Sequence, residues 1–252
     1  MHSSAFVLAP ASYFFAFPSD SVLDLLIALR WIHFVAGITW VGLLYFFNLV
    51  STPAFAELDP GTRAKVFPAL MSRAFFWFRW ASVVTVFVGI WYWMKIVVPD
   101  ARNADASPGR AIWSFFVIWT VAFIIYMGVL MSPSEFLHKG PVLGIITAAV
   151  MIAASYGYVR LNSHGWESNR LLCIGIGGGL GWFMMFNVWG LIWRMQKRMI
   201  QWNAQHAADG TRLPDKAASF TRLTFLASRT NFWLSFPMLF FMAAASHFPL
   251  FT

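Results

Sequence analysis

The run RWIHFVAGITWVG, residues 30–42, sets an arginine and a histidine nearly one helical turn apart in a stretch that otherwise reads as lipid-facing helix. Positions 30, 33, 37, 40 and 44 share a helical face, which reads Arg, His, Gly, Trp and Leu. Arg30 and His33 are costly at membrane depth unless a protein partner or a cavity receives them. A haem b answers the pattern: His33 ligates the iron, Gly37 leaves room for the macrocycle, and Arg30 pairs with a propionate. The second axial ligand then has to come from another helix at similar depth. His247, in the closing AAASHF, has the small Ala243 one turn before it and is the expected partner. Other roles stay open: a substrate or proton contact or a structural hydrogen bond for His33, interfacial structure for His247, and His164 as a substitute ligand. The single cysteine, Cys173, excludes a CxxCH covalent haem site, so any haem is held non-covalently.

A second group of polar residues falls in the opposite leaflet. Arg79 lies in SRAFFWFRWA, Asn187 in FNVWG, and Arg229 and Asn231 in SRTNFW. Arg79, Arg229 and Asn231 offer a polar cluster for an anionic substrate or a quinone headgroup, which arginine matches with paired donors, and Asn187 is expected to face a helix neighbour or a substrate. The plainer readings are snorkelling for Arg79 and a helix–helix hydrogen bond for Asn187. GIGGGLG, residues 175–181, follows no strand and lacks the Walker lysine, so it reads as small residues that allow close helix packing or admit a flat cofactor. No paired intramembrane carboxylates support a two-carboxylate hydrolase or a proton-pumping relay. No catalytic base can be assigned from the sequence.

The elements that carry these residues follow from composition. Of 252 residues, 59% are hydrophobic and 11% charged, which is too apolar for a soluble domain. Runs of spanning length occur at about 22–50, 72–98, 111–131, 142–159, 171–193 and 230–248. None alternates as a strand does, so the chain is expected to be all-α, a polytopic helical bundle of about six transmembrane helices. It reads as a single integral membrane domain over 1–252. An N-terminal extension over 1–20 carries an apolar, proline-broken segment that reads as a short interfacial helix. Residues 194–229 read as a basic cytoplasmic loop. The net charge of +8 gathers between spans, where it orients a membrane protein, and no nucleic-acid partner is expected. With six spans, that loop, Arg63, Lys65 and Lys139 share a side, which the positive-inside rule makes cytoplasmic. Both termini then face the periplasm across a bacterial inner membrane.

Four stretches carry a family resemblance: HFVAGITWVGLLYFFNLVSTPAFAELDP, RAFFWFRWASVVTVFVG, FNVWGLIWRMQKRMI and ASRTNFWLSFPMLFFMAAASHF. In order and over about residues 30–248, they resemble the urate oxidase N-terminal membrane domain. The resemblance implies a membrane-bound urate oxidase or dehydrogenase in purine catabolism, with 5-hydroxyisourate as product and cytochrome c as acceptor. It marks His33, Trp40, Arg79, Asn187, Arg229, Asn231 and His247 as places to look. Family members often carry a C-terminal cytochrome c domain; this chain has no CxxCH, so a separate cytochrome c, quinone or respiratory-complex subunits are the expected acceptors. The alternative is a haem b-containing or anchoring subunit of a respiratory complex, without urate chemistry of its own.

Overall fold

The computed structural model describes residues 20–103, 107–163, 169–245 and 247–251. The N-terminal extension read over 1–20 and the interfacial helix expected in it lie outside them except for Asp20, as does His164. Among the described residues six long helices follow one another: α1 Ser21–Glu57, α2 Pro60–Asn103, α3 Pro108–Leu130, α4 Gly140–Asn162, α5 Asn169–Asp209 and α6 Ala217–Ala244. Among the described residues there is no strand, and the chain is an all-α, multi-pass membrane protein. The first five helices are long and apolar enough to cross a bilayer.

The helices begin where local chemistry starts them. The Asp20 carboxylate accepts from the Val22 amide at 2.8 Å and opens α1. The Asp59 carboxylate accepts from the Thr62 amide at 3.0 Å, with Pro60 as the first residue of α2. Hydrogen bonds from the Thr62 side chain and amide hold the Asp59 carboxyl below its usual range. The turn between α1 and α2 is therefore confined to Leu58 and Asp59, and α2 starts twelve residues before the span read from about residue 72.

The region 194–229 differs from expectation for a related reason. It is helical except over residues 210–216: α5 runs on to Asp209, and Gly210 ends it at φ +75°. The charge that makes RMQKRMIQWNAQ read as loop lies on helix-forming side chains of an amphipathic helix. Its apolar face docks on the start of α6, where Trp202 packs on Phe220 with ring centroids 5.5 Å apart.

α5 is the central helix. Of its most apolar window 78% is buried, against 22–33% for the other four spanning helices. α6, α2, α3 and α4 pack around it, and α1 lies along α2 and touches α6. The glycines of residues 175–181 allow this. A Cβ on Gly175 would fall 2.2 Å from the Tyr158 ring of α4, and one on Gly179 1.8 Å from the Trp119 ring of α3. The glycine run is thus a seat for two large aromatic side chains.

Candidate functional site

His33 is half-buried on α1 and faces α2. Its Nδ1 lies 2.8 Å from the Thr85 carbonyl oxygen. A carbonyl can only accept, so Nδ1 carries the proton and Nε2 is left with its lone pair, the tautomer an axial ligand requires. Room for the ring comes from α2: a Cβ on Gly89 would stand 2.8 Å from His33 Cε1 and Nδ1. Gly37, one turn along α1, packs at ordinary contact distance against the Thr85 methyl group, 3.6 Å from where its Cβ would be. Arg30 is exposed, with its guanidinium 5.8 Å from the Phe34 ring centroid.

His247 lies just past α6, exposed, in a turn whose His247 and Phe248 amides both bond the Ala244 carbonyl. Asn169, the first residue of α5, holds the tail beyond that turn. Its Oδ1 accepts from the Leu250 and Phe251 amides at 2.6 and 2.9 Å, and its Nδ2 donates to the Phe248 carbonyl at 2.6 Å. Register compares the depths of the two histidines. The Ser235 and Tyr45 hydroxyls are hydrogen-bonded at 3.2 Å, joining α6 to α1. His33 precedes Tyr45 by 12 residues and His247 follows Ser235 by 12 on an antiparallel neighbour. His33 is thus about 18 Å from that contact, and His247, past the end of α6, lies toward the same end of the bundle. No hydrogen bond or ring contact joins them directly. His33, with Nε2 unprotonated, the exposed Arg30 and His247 at that end are the residues that could hold a haem. Among the described residues no cluster of three His, Cys, Asp or Glu side chains occurs.

The opposite half of the bundle holds the remaining polar candidates, and the structure joins two of them. Asn187 and Asn231 are wholly buried between α5 and α6. Asn187 Nδ2 donates to Asn231 Oδ1 at 2.9 Å and to the Ala227 carbonyl at 3.0 Å; Asn231 Nδ2 returns a bond to the Met184 carbonyl at 3.0 Å. The pair sits where α5 widens into a π-helical turn at Val188–Ile192. The two arginines stand apart from it. Arg79 is half-buried between α2 and α5, its guanidinium 3.8 Å from the Trp193 ring centroid, while Trp189 Nε1 donates to the Arg79 carbonyl at 3.1 Å. Arg229 lies over Phe225 and Phe232 of its own helix, at 5.3 and 5.7 Å.

A feature that residue-by-residue reading missed lies beside this layer. α1 has a π-helical turn of its own at Phe46–Ser51, and side chains bond the carbonyls of Leu44, just before it, and Phe47, within it. Asn48 Nδ2 donates to Leu44 O at 2.9 Å and to Ser228 Oγ on α6 at 3.0 Å, while Thr52 Oγ1 donates to Phe47 O at 2.7 Å. Below this turn, the ends of α1, α2, α5 and α6 line a half-open cavity of about 430 Å³. Six phenylalanines contribute to its walls, and Asn48, Arg63, Gln196 and Thr224 are among its polar lining. Asn48 was legible by the same logic as Asn187, a lone amide in an apolar run. Arg63 reads as an orienting charge, and Gln196 and Thr224 fall in the stretch that reads as loop.

The family model described as "Urate oxidase N-terminal" matches residues 60–252. It takes in α2 to α6 and the tail, and starts after α1. No curated protein and no solved structure matches the chain.

Proposed function

The chain belongs to the urate oxidase N-terminal family, and on that premise we propose a membrane-bound redox protein that takes two electrons from urate and, with a haem b, delivers them to a cytochrome c or a quinone. The observation that carries the haem part is the His33–Thr85 hydrogen bond, which frees Nε2 as a ligand atom. His247 would be the second ligand, since α1 and α6 are antiparallel and carry both histidines toward one end of the bundle, and Asn169 holds the tail that follows it. Arg30 is free to pair with a propionate. Bound there, haem b supplies one-electron steps, which a two-electron donor needs in order to reach a one-electron acceptor. The overall reaction balances as urate plus water giving 5-hydroxyisourate, two electrons and two protons. The Thr85 carbonyl and Gly89 do the protein's part at His33: one fixes the tautomer and the other clears space for the ring.

The basic ends of α5 and α6, with Arg63 and Lys139, support a cytoplasmic assignment for the cavity side. The His33 level and the tail then face the periplasm of a bacterial inner membrane, where a soluble cytochrome c docks. His33→Ala is expected to remove the b-type Soret and α bands from the dithionite-reduced protein while leaving its helical circular dichroism unchanged. A folded His33→Ala protein with the full wild-type haem spectrum would take His33 out of the ligand set.

A further inference from the structure

We propose that the aromatic cavity at the inner ends of α1, α2, α5 and α6 is a binding site for a planar heterocyclic anion carrying both N–H donors and carbonyl acceptors, the oxopurine class to which urate belongs. The identity of the oxopurine rests on the function proposed above; the location of the site rests on unpartnered polar atoms in the cavity wall.

Three buried polar atoms on the cavity lining have no protein partner: Arg63 Nε, Gln196 Oε1 and Thr224 Oγ1. Buried polar groups in native proteins are almost always paired, so three orphans around one cavity point to something that fills it. Thr224 makes the case sharply, since it is 4% exposed. Thr39, Thr85, Thr147 and Thr221 all spend their hydroxyls on the carbonyl one turn back. Thr224, on an equally regular helix, does not.

The orphans also specify a chemistry. Arg63 donates and carries charge, and neither Asp nor Glu lines the cavity to neutralise it. Its Nη2 is already engaged by the Ala56 and Leu58 carbonyls at 3.4 and 3.0 Å, which fixes the guanidinium and leaves Nε for a ligand. Gln196 Oε1 needs a donor, which an oxidised quinone or a simple carboxylate lacks and a ring N–H supplies. Thr224 donates or accepts. Around them the walls are aromatic, with Phe47 stacked on Phe75 at 4.6 Å, as suits a flat ring. The volume is in the usual range for a small-molecule site. Leu213 of the basic α5–α6 connection reaches the lining, so Lys197, Arg198, Arg212 and Lys216 would draw an anion toward it. Asn48 on the lining is 15 residues from His33 along α1, about 22 Å, so substrate and haem ligand stand at opposite ends of one helix.

The experiment measures urate binding to the full chain in nanodiscs by titration calorimetry, with thermal melting as the folding check. Wild type is expected to bind urate and to bind fully N-methylated urate, which lacks the charge and the N–H groups, at least about tenfold more weakly. Arg63→Gln and Gln196→Met should each weaken urate roughly 10- to 100-fold, with Arg63→Lys and Thr224→Val between them and wild type. Because Arg63 also holds the Ala56 and Leu58 carbonyls, Gln196→Met decides the matter if Arg63→Gln melts early. Unchanged urate affinity in folded Gln196→Met and Thr224→Val overturns the site, and urate-driven haem reduction then leaves the proposed function standing. Equal affinity for the methylated compound overturns the chemistry assigned to the cavity. No urate binding by wild type overturns the site, and it also ends the enzyme reading if urate reduces no haem.

Discussion

Gly179→Ala is expected to cost about 3 kcal/mol or more and to leave little folded protein after detergent extraction. The added methyl would sit 1.8–1.9 Å from the indole of Trp119. That indole is fully buried, so it cannot withdraw into solvent or lipid. The neighbouring glycine is the control. A Cβ on Gly178 meets nothing closer than the Phe115 ring at 3.6 Å. Gly178→Ala should therefore be neutral or slightly stabilising, since alanine is favoured over glycine in a helix by up to about 1 kcal/mol. Thermal melting of the two variants side by side separates a packing seat from a general need for small residues. Equal melting temperatures would refute the seat.

Asn231→Leu is expected to cost about 2 kcal/mol. It leaves the Met184 carbonyl without its side-chain donor and removes the Asn231 oxygen that accepts from Asn187. Each lost bond is worth on the order of 1 kcal/mol inside a membrane bundle. The double variant Asn187→Leu/Asn231→Leu should be less destabilised than the sum of the two singles, because no lone amide then remains in the seam. Strict additivity of the melting free energies would mean that the two amides act independently and that the α5–α6 clasp is not a unit.

Membrane insertion was legible because it rests on bulk transfer energy summed over about 20 residues, and that sum survives errors at the ends. The ends themselves were not. Arg194, Lys197 and Arg198 made a helix look like a loop, since hydropathy measures affinity for lipid and says nothing about helical order outside it. His33 stood out because an imidazole in lipid is costly. Its two partners did not, because one is a backbone carbonyl of Thr85, which any residue type carries, and the other is the missing side chain of Gly89. Asn187 and Asn231 were each visible as polar residues in apolar runs, yet their pairing depends on the register of α5 against α6 across 44 positions. Grouping them with Arg79 and Arg229 followed from depth alone. Depth does not fix the face of a helix, and the guanidiniums lie instead over Trp193 and over Phe225 and Phe232. The cavity was hidden for a further reason: its orphaned atoms are ordinary Arg, Gln and Thr residues that become notable only once burial removes water from them.

The deciding measurement is the visible spectrum of the purified, oxygen-free protein before and after urate, set against full reduction by dithionite. A b-type haem that urate reduces in wild type, with no such signal in folded His33→Ala, is the predicted result. A haem that dithionite reduces and urate leaves oxidised, with no acceptor present to draw electrons off, would contradict the account and make the protein an electron-transfer subunit without urate chemistry.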